Sequence, residues 1–243
     1  MINTVDISTN PEGEIQPTPP RVPWTIRDVW FGLGLFLIWL LVSIGFGIFK
    51  GLYNWKFDIG LFLVLWELVL ILPAWWLTIR KYQLNWASLG IRKFDLTTIA
   101  IGCGLMIFTY IFNLLYNMAL LFKGIQAPND VGDIFGSGTS PWLIFLAGIV
   151  VAPLVEEIFF RGFLFTGLRE RYGWIAGALI SSGLFAAVHL QPITMPSIFL
   201  LGLIFAYLYE RTESIWPAVI MHVATNTFGL AAAYMISRLD LLA

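Results

Sequence analysis

Residues 152–161 read APLVEEIFFR: two adjacent carboxylates and an arginine inside an apolar run that extends over 141–169. Carrying an ionisable side chain into a bilayer is costly, so one that sits there has a task. Charge is scarce in the chain as a whole. Of its 243 residues 58% are hydrophobic and 12% charged, and the mean hydropathy is +0.81. Soluble domains run at about 25% charged, so this is the composition of a protein that lies mostly in lipid.

Working outward from that run, a helix needs about 20 apolar residues to cross a bilayer. Seven segments present themselves, at 29–49, 59–79, 96–122, 141–169, 174–190, 197–209 and 215–236. The sixth has only 13 residues, so it is expected to tilt, to be partly embedded or to continue past Tyr209. The fold expected is an all-α, multi-pass transmembrane helix bundle of about seven to eight helices with an intramembrane polar cavity. Residues 1–26 are polar and rich in proline and are expected to form a disordered tail. They lack the basic start and small-residue cleavage site of a signal peptide. Residues 27–243 are expected to form one transmembrane domain, with the chemistry concentrated in 141–234.

The lysines and arginines orient the bundle. With the N-terminus inside, the inner segments hold Arg21, Arg27, Arg80, Lys81, Arg92, Lys93, Arg169, Arg171 and Arg211, and the outer ones only Lys50, Lys56, Lys123 and Arg238. The N-terminus is therefore expected to be cytoplasmic, and multi-pass topology without transit signals suggests a bacterial plasma membrane. No basic cluster is present to neutralise phosphates, so nucleic acid is not an expected partner. Cys103 is the one cysteine, which excludes an internal disulfide and a CxxC metal site. It is expected to be a small buried packing residue.

The ionisable groups in the apolar segments are few: Glu67, Glu156, Glu157, Arg161, His189 and His222. Glu157 and Arg161 are four apart, acid before base, and share a helix face on which they can neutralise one another. Glu156 projects about 100° away from Glu157, which leaves it without that partner. Taking the turn between the fourth and fifth segments at Tyr172, Glu156 precedes it by 16 residues and His189 follows it by 17. At 1.5 Å per residue both lie about 24–26 Å from the turn and hence at one height. His222 and Asn226, four apart on the last segment, share a face. A carboxylate beside an imidazole can deprotonate a water, and a second histidine with an amide can donate to a developing oxyanion. Such a set suits amide hydrolysis by an activated water. Glu67 stands outside it and is expected to be structural.

These residues also form three ordered motifs: Glu156-Glu157-x-x-x-Arg161, Phe185-x-x-x-His189 and His222-x-x-x-Asn226. In order and internal spacing they resemble those of the CAAX prenyl protease type II and bacteriocin-processing (Abi) family of intramembrane proteases. ASLGIRKFD at 87–95 is similar to the linker usual in that family. The resemblance implies an intramembrane, glutamate-dependent endopeptidase of the CAAX-processing type. It implies Glu156 and His189 as the water-activating pair, His222 and Asn226 as the oxyanion hole, Glu157 and Arg161 as support, and Phe185 as lining. It further implies a peptide or protein substrate, prenylated at a C-terminal CAAX box in the eukaryotic members, met within the lipid bilayer.

No cofactor is expected. Zinc remains an alternative, since Glu156, His189 and His222 could supply two imidazoles and a carboxylate, although no HExxH pair is present. The competing functions are a non-catalytic membrane scaffold or bacteriocin self-immunity protein and, further off, a proton-relaying transporter. The transporter lacks support from any internal repeat.

Overall fold

The computed structural model describes residues 8–9, 15–16, 21–53, 59–125, 135 and 140–240. Among these, seven helices carry the fold: α1 (Ile26–Tyr53), α2 (Gly60–Arg80), α3 (Thr97–Phe122), α4 (Pro141–Tyr172), α5 (Trp174–Ala187), α6 (Met195–Thr212) and α7 (Trp216–Asp240). Five of them, α1 to α4 and α7, are long and apolar enough to cross a membrane. Strand pairing among the described residues is confined to Ser8–Thr9 against Ile15–Gln16. The chain is thus the multi-pass all-α membrane protein expected. The short sixth segment is prolonged at both ends, to 18 residues.

The packed chain starts earlier than the expected boundary at residue 27. Val22 and Trp24 are 6% and 3% exposed, and the Trp24 indole N–H donates to the Phe163 carbonyl at 3.3 Å. Immediately after them Thr25 and Asp28 form a reciprocal cap on α1. The Asp28 carboxylate accepts from the Thr25 N–H and hydroxyl, and the Asp28 N–H reaches back to the Thr25 hydroxyl. The bulky indole and the cap account for the difference. Residues 1–7, 10–14 and 17–20 of the expected tail lie outside the described residues.

α4 is the axis of the core. Phe159, Phe160, Phe163, Leu164 and Phe165 are all buried, and α1, α2, α5, α6 and α7 pack around it. It is not a uniform α-helix. Its turns widen to π-helical geometry over Leu146–Val151 and again over Ile158–Phe165. Widened turns leave carbonyls that side chains must satisfy. In the second one the Thr166 hydroxyl donates to the Arg161 carbonyl at 2.7 Å, and Ser181 of α5 donates to that of Phe160 at 3.0 Å. α4 turns into α5 at Gly173, whose φ of 81° lies in the left-handed region that glycine reaches without a Cβ clash. The end of α4 is fixed to α6 by buried Arg169, which donates to Glu210 at 2.6 Å and to Glu213 at 2.7 Å. Cys103, expected to be buried, is exposed. The face of α3 that packs inward carries Gly102, Met106 and Thr109 instead.

Candidate active site

Glu157 and Arg161 sit at the start of the second widened turn of α4, and neither side chain has any exposure. Arg161 Nη1 donates to Glu157 Oε1 at 3.0 Å, as their spacing predicts. Its Nη2 donates to the Gly202 carbonyl of α6 at 3.3 Å. Glycine at 202 also lets α6 approach α5, because a Cβ there would lie 2.9 Å from the Ser182 Cβ. The guanidinium also lies over the Phe185 ring at 4.3 Å and the Phe205 ring at 5.2 Å. A buried cation is thereby held by one carboxylate, one carbonyl and two aromatic faces.

Glu157 has a second partner that spacing alone did not suggest. The same Oε1 accepts from His222 Nδ1 of α7 at 3.0 Å. A carboxylate oxygen accepts, so Nδ1 bears the proton and Nε2 is turned elsewhere. Nε2 lies 3.7 Å from Glu156 Oε2. Phe205 stacks on the imidazole at 5.1 Å between centroids, and Phe185 meets it edge-on at 5.7 Å. The four charged or polar groups therefore run in sequence, Arg161 to Glu157 to His222 to Glu156.

His189, read as part of the fifth helix, falls just beyond it. α5 stops at Ala187, because Leu190 takes a φ of 57° and Pro192 follows. A residue before proline is driven out of helical geometry. The last carbonyls of α5 are all accounted for. That of Leu184 accepts from Val188 N, that of Ala186 from His189 N and that of Ala187 from Leu190 N. The Phe185 carbonyl accepts from His189 Nδ1 at 2.7 Å. The ring is therefore a C-terminal cap of α5, with its proton on Nδ1 and Nε2 available as a base.

Asn226 is held by a different consequence of the irregular α4. In the first widened turn the Ala152 N–H returns five residues, to the Ala147 carbonyl. The corresponding partner of the Gly148 carbonyl would be the N–H of residue 153, which is a proline and has none. Asn226 Nδ2 donates to that carbonyl at 2.7 Å.

Glu156 and His189 line one cavity of about 210 Å³, roomy enough for several waters. Phe36, Trp39, Leu40, Leu70, Phe160 and Val188 supply its apolar wall, Ser43 a hydroxyl, and Glu67 of α2 a second carboxylate. Among the described residues no lysine or arginine lines it. Glu156 Oε2 and Glu67 Oε2 are both buried without a hydrogen-bond partner. The expected quartet is thus divided. Glu156 and His189 share the cavity, His222 stands behind Glu156, and Asn226 is on the α4 backbone. Phe185, expected to line the site, packs between Arg161, His222 and His189. Glu67, expected to be structural, adds its carboxylate to this cavity, and its signal in the sequence is that of an acid in an apolar helix. Among the described residues no group of three or more His, Cys, Asp or Glu side chains is arranged to hold a metal ion.

Residues 138–228 match the family model described as "Type II CAAX prenyl endopeptidase Rce1-like". The recognition drawn from the three motifs therefore stands over that segment. Two curated relatives are similar to parts of the chain. The Bacillus subtilis (strain 168) protein named "Putative membrane peptidase YdiL" is 36% identical over 86 residues, 35% of this chain and 35% of its own length. An Escherichia coli protein named "Uncharacterized 24.3 kDa protein" is 35% identical over 120 residues, 46% of this chain and 55% of its own length. The chain thus spans about a third and about half of these relatives. No solved structure matches it.

Proposed function

We propose that the chain is an intramembrane endopeptidase of the CAAX-processing type, in which Glu156 and His189 activate a water against a peptide bond. The observation that carries this reading is their shared cavity, in which the Glu156 Oε2 atom has no hydrogen-bond partner and the His189 Nδ1 hydrogen is already given to the Phe185 carbonyl. A carboxylate and an imidazole so disposed can take a proton from a water between them. The resulting hydroxide adds to the peptide carbonyl carbon. The tetrahedral oxyanion collapses, the C–N bond breaks, and the proton passes to the leaving nitrogen.

The surroundings support this division of roles. His222, fixed through Glu157 by Arg161, faces Glu156 with its Nε2 at 3.7 Å. The second Nδ2 hydrogen of Asn226, beyond the one given to Gly148, is available to an oxyanion. We assign Asn226, and His222 once its Nε2 has taken up a proton, to that stabilisation when substrate displaces the resting contacts. The substrate would be a peptide or protein segment reached from the membrane, in keeping with the name of the matching family, and prenylated if it is a CAAX protein. The membrane would be a bacterial plasma membrane with the N-terminus on its cytoplasmic side, in keeping with the distribution of lysine and arginine.

The test is cleavage of a fluorogenic farnesylated CAAX peptide by the full chain in liposomes, with wild type beside Glu156→Gln and each with and without a zinc chelator. Cleavage that requires Glu156 and survives chelation is expected. Chelator-sensitive cleavage would restore the zinc reading. A folded wild type that cleaves neither the prenylated peptide nor its unprenylated form would favour the scaffold or immunity reading.

A further inference from the structure

Three cavities follow one another along the seam between α1 and α2 and share walls. At one end Arg27, Asp28, Phe31, Trp76, Arg80 and Lys81 line a space of about 770 Å³. Trp76 is also a wall of the next, an apolar groove of about 590 Å³ that includes Leu35, Trp39, Leu70, Pro73 and Trp75. Trp39 and Leu70 are in turn walls of the cavity that holds Glu156 and His189.

The first space has uncompensated positive charge. Lys81 is bound to buried Asp28, which also accepts from the Tyr82 hydroxyl. Arg27 and Arg80 are exposed and form no ion pair among the described residues. Beside them Trp76 and Phe31, each 53% exposed, meet edge to face at 6.5 Å. Half-exposed aromatic rings next to free cations are what a bilayer interface presents to lipid headgroups. The lengths fit as well. From Arg80 back to Leu70 is ten residues, about 15 Å of helix. That is about half of a 30 Å hydrocarbon core, the depth of one leaflet.

We propose that this seam binds an anionic glycerophospholipid, with its phosphate at Arg27 and Arg80 and one acyl chain along the groove to the wall formed by Trp39 and Leu70. The site is separate from the peptide chemistry and does not depend on it. A chain lying there would bound the reaction cavity on its lipid side, and any hydrocarbon-bearing substrate entering by the seam would have to displace it.

The test uses the detergent-solubilised full chain and native mass spectrometry. Phosphatidylglycerol, phosphatidylcholine with the same acyl chains and inorganic phosphate are titrated separately and in competition. Arg27→Gln, Arg80→Gln and the double variant are compared with Lys93→Gln/Arg211→Gln, which removes equal charge at a different cavity. Preference for phosphatidylglycerol over phosphatidylcholine is expected to fall roughly fivefold for each seam arginine lost and to be unchanged in the control pair. Equal retention of both lipids by wild type would overturn the proposal. So would an equal loss of preference in the control pair, which would mean general surface charge. Displacement of the lipid by inorganic phosphate alone would overturn the acyl-chain half and leave an anion site.

Discussion

One oxygen of Glu157 serves two partners: Oε1 accepts from Arg161 Nη1 and from His222 Nδ1, each at 3.0 Å. The ion pair within α4 and the histidine of α7 are therefore a single unit, and a change at either end is felt at the other.

Arg161→Leu is expected to destabilise the protein by about 3–5 kcal/mol, the effect of leaving a buried charge without its partner. Glu157→Gln should be as severe, since it strands the arginine and loosens His222 together. Thermal unfolding in detergent measures both. A fully stable Arg161→Leu protein would exclude the pairing as a stabilising contact.

Glu156→Gln should behave in the opposite way. The Oε2 atom of Glu156 has no hydrogen bond to lose, so the unfolding temperature should stay at the wild-type value. Cleavage should fall roughly 10²–10⁴-fold, the usual contribution of a positioned proton acceptor. A variant that is inactive because it is unfolded would remove Glu156 from the reaction.

Glu67→Leu offers a trade between stability and activity. The Glu67 Oε2 atom is buried and unpartnered, and replacing such a group by an apolar one relieves a desolvation penalty of about 1–3 kcal/mol. The unfolding temperature should therefore rise while cleavage falls, because the cavity loses one of its two carboxylates. A lower unfolding temperature would show instead that Glu67 has a structural role.

Asn226 and Pro153 should be coupled. Asn226→Ala leaves the Gly148 carbonyl unpaired, at a cost of about 1–3 kcal/mol. Pro153→Ala restores an N–H where the widened turn lacks one. The loss caused by Asn226→Ala should thus be smaller in the Pro153→Ala background. A double-mutant cycle reads the difference directly, and additive effects would contradict the shared carbonyl.

Much of this arrangement could be read in the sequence, for physical reasons that differ by residue. The helix-spanning segments announce themselves by apolar length, and Glu157–Arg161 by a four-residue spacing that any helix brings onto one face. Counting residues from the turn at Gly173 brings Glu156 and His189 toward one another, and both line one cavity. The end of α5 was also legible, in the proline at 192, but was passed over in favour of apolar continuity. The same holds for the Thr25–Asp28 cap, whose spacing marks a helix start. The bond from Asn226 to Gly148 was not legible, because it depends on a π-helical register of the α4 backbone. Nor was the position of Glu67, which is set by how α2 lies against α4 and which no local pattern records.

The cavity that holds Glu156 and His189 is assembled from two stretches of chain, one inside the family match and one outside it. Glu156, Phe160, Val188 and His189 come from the segment under the family match, whereas Phe36, Trp39, Leu40, Ser43, Glu67 and Leu70 come from α1 and α2, outside it. The groups assigned to bond breaking and most of the wall that an occupant would touch are therefore encoded apart. Exchange of an N-terminal helical pair could redirect selectivity while the proposed hydrolytic centre stayed intact, so a hybrid joining the first two helices of a relative to α3–α7 of this chain is a natural vehicle for moving specificity as a module.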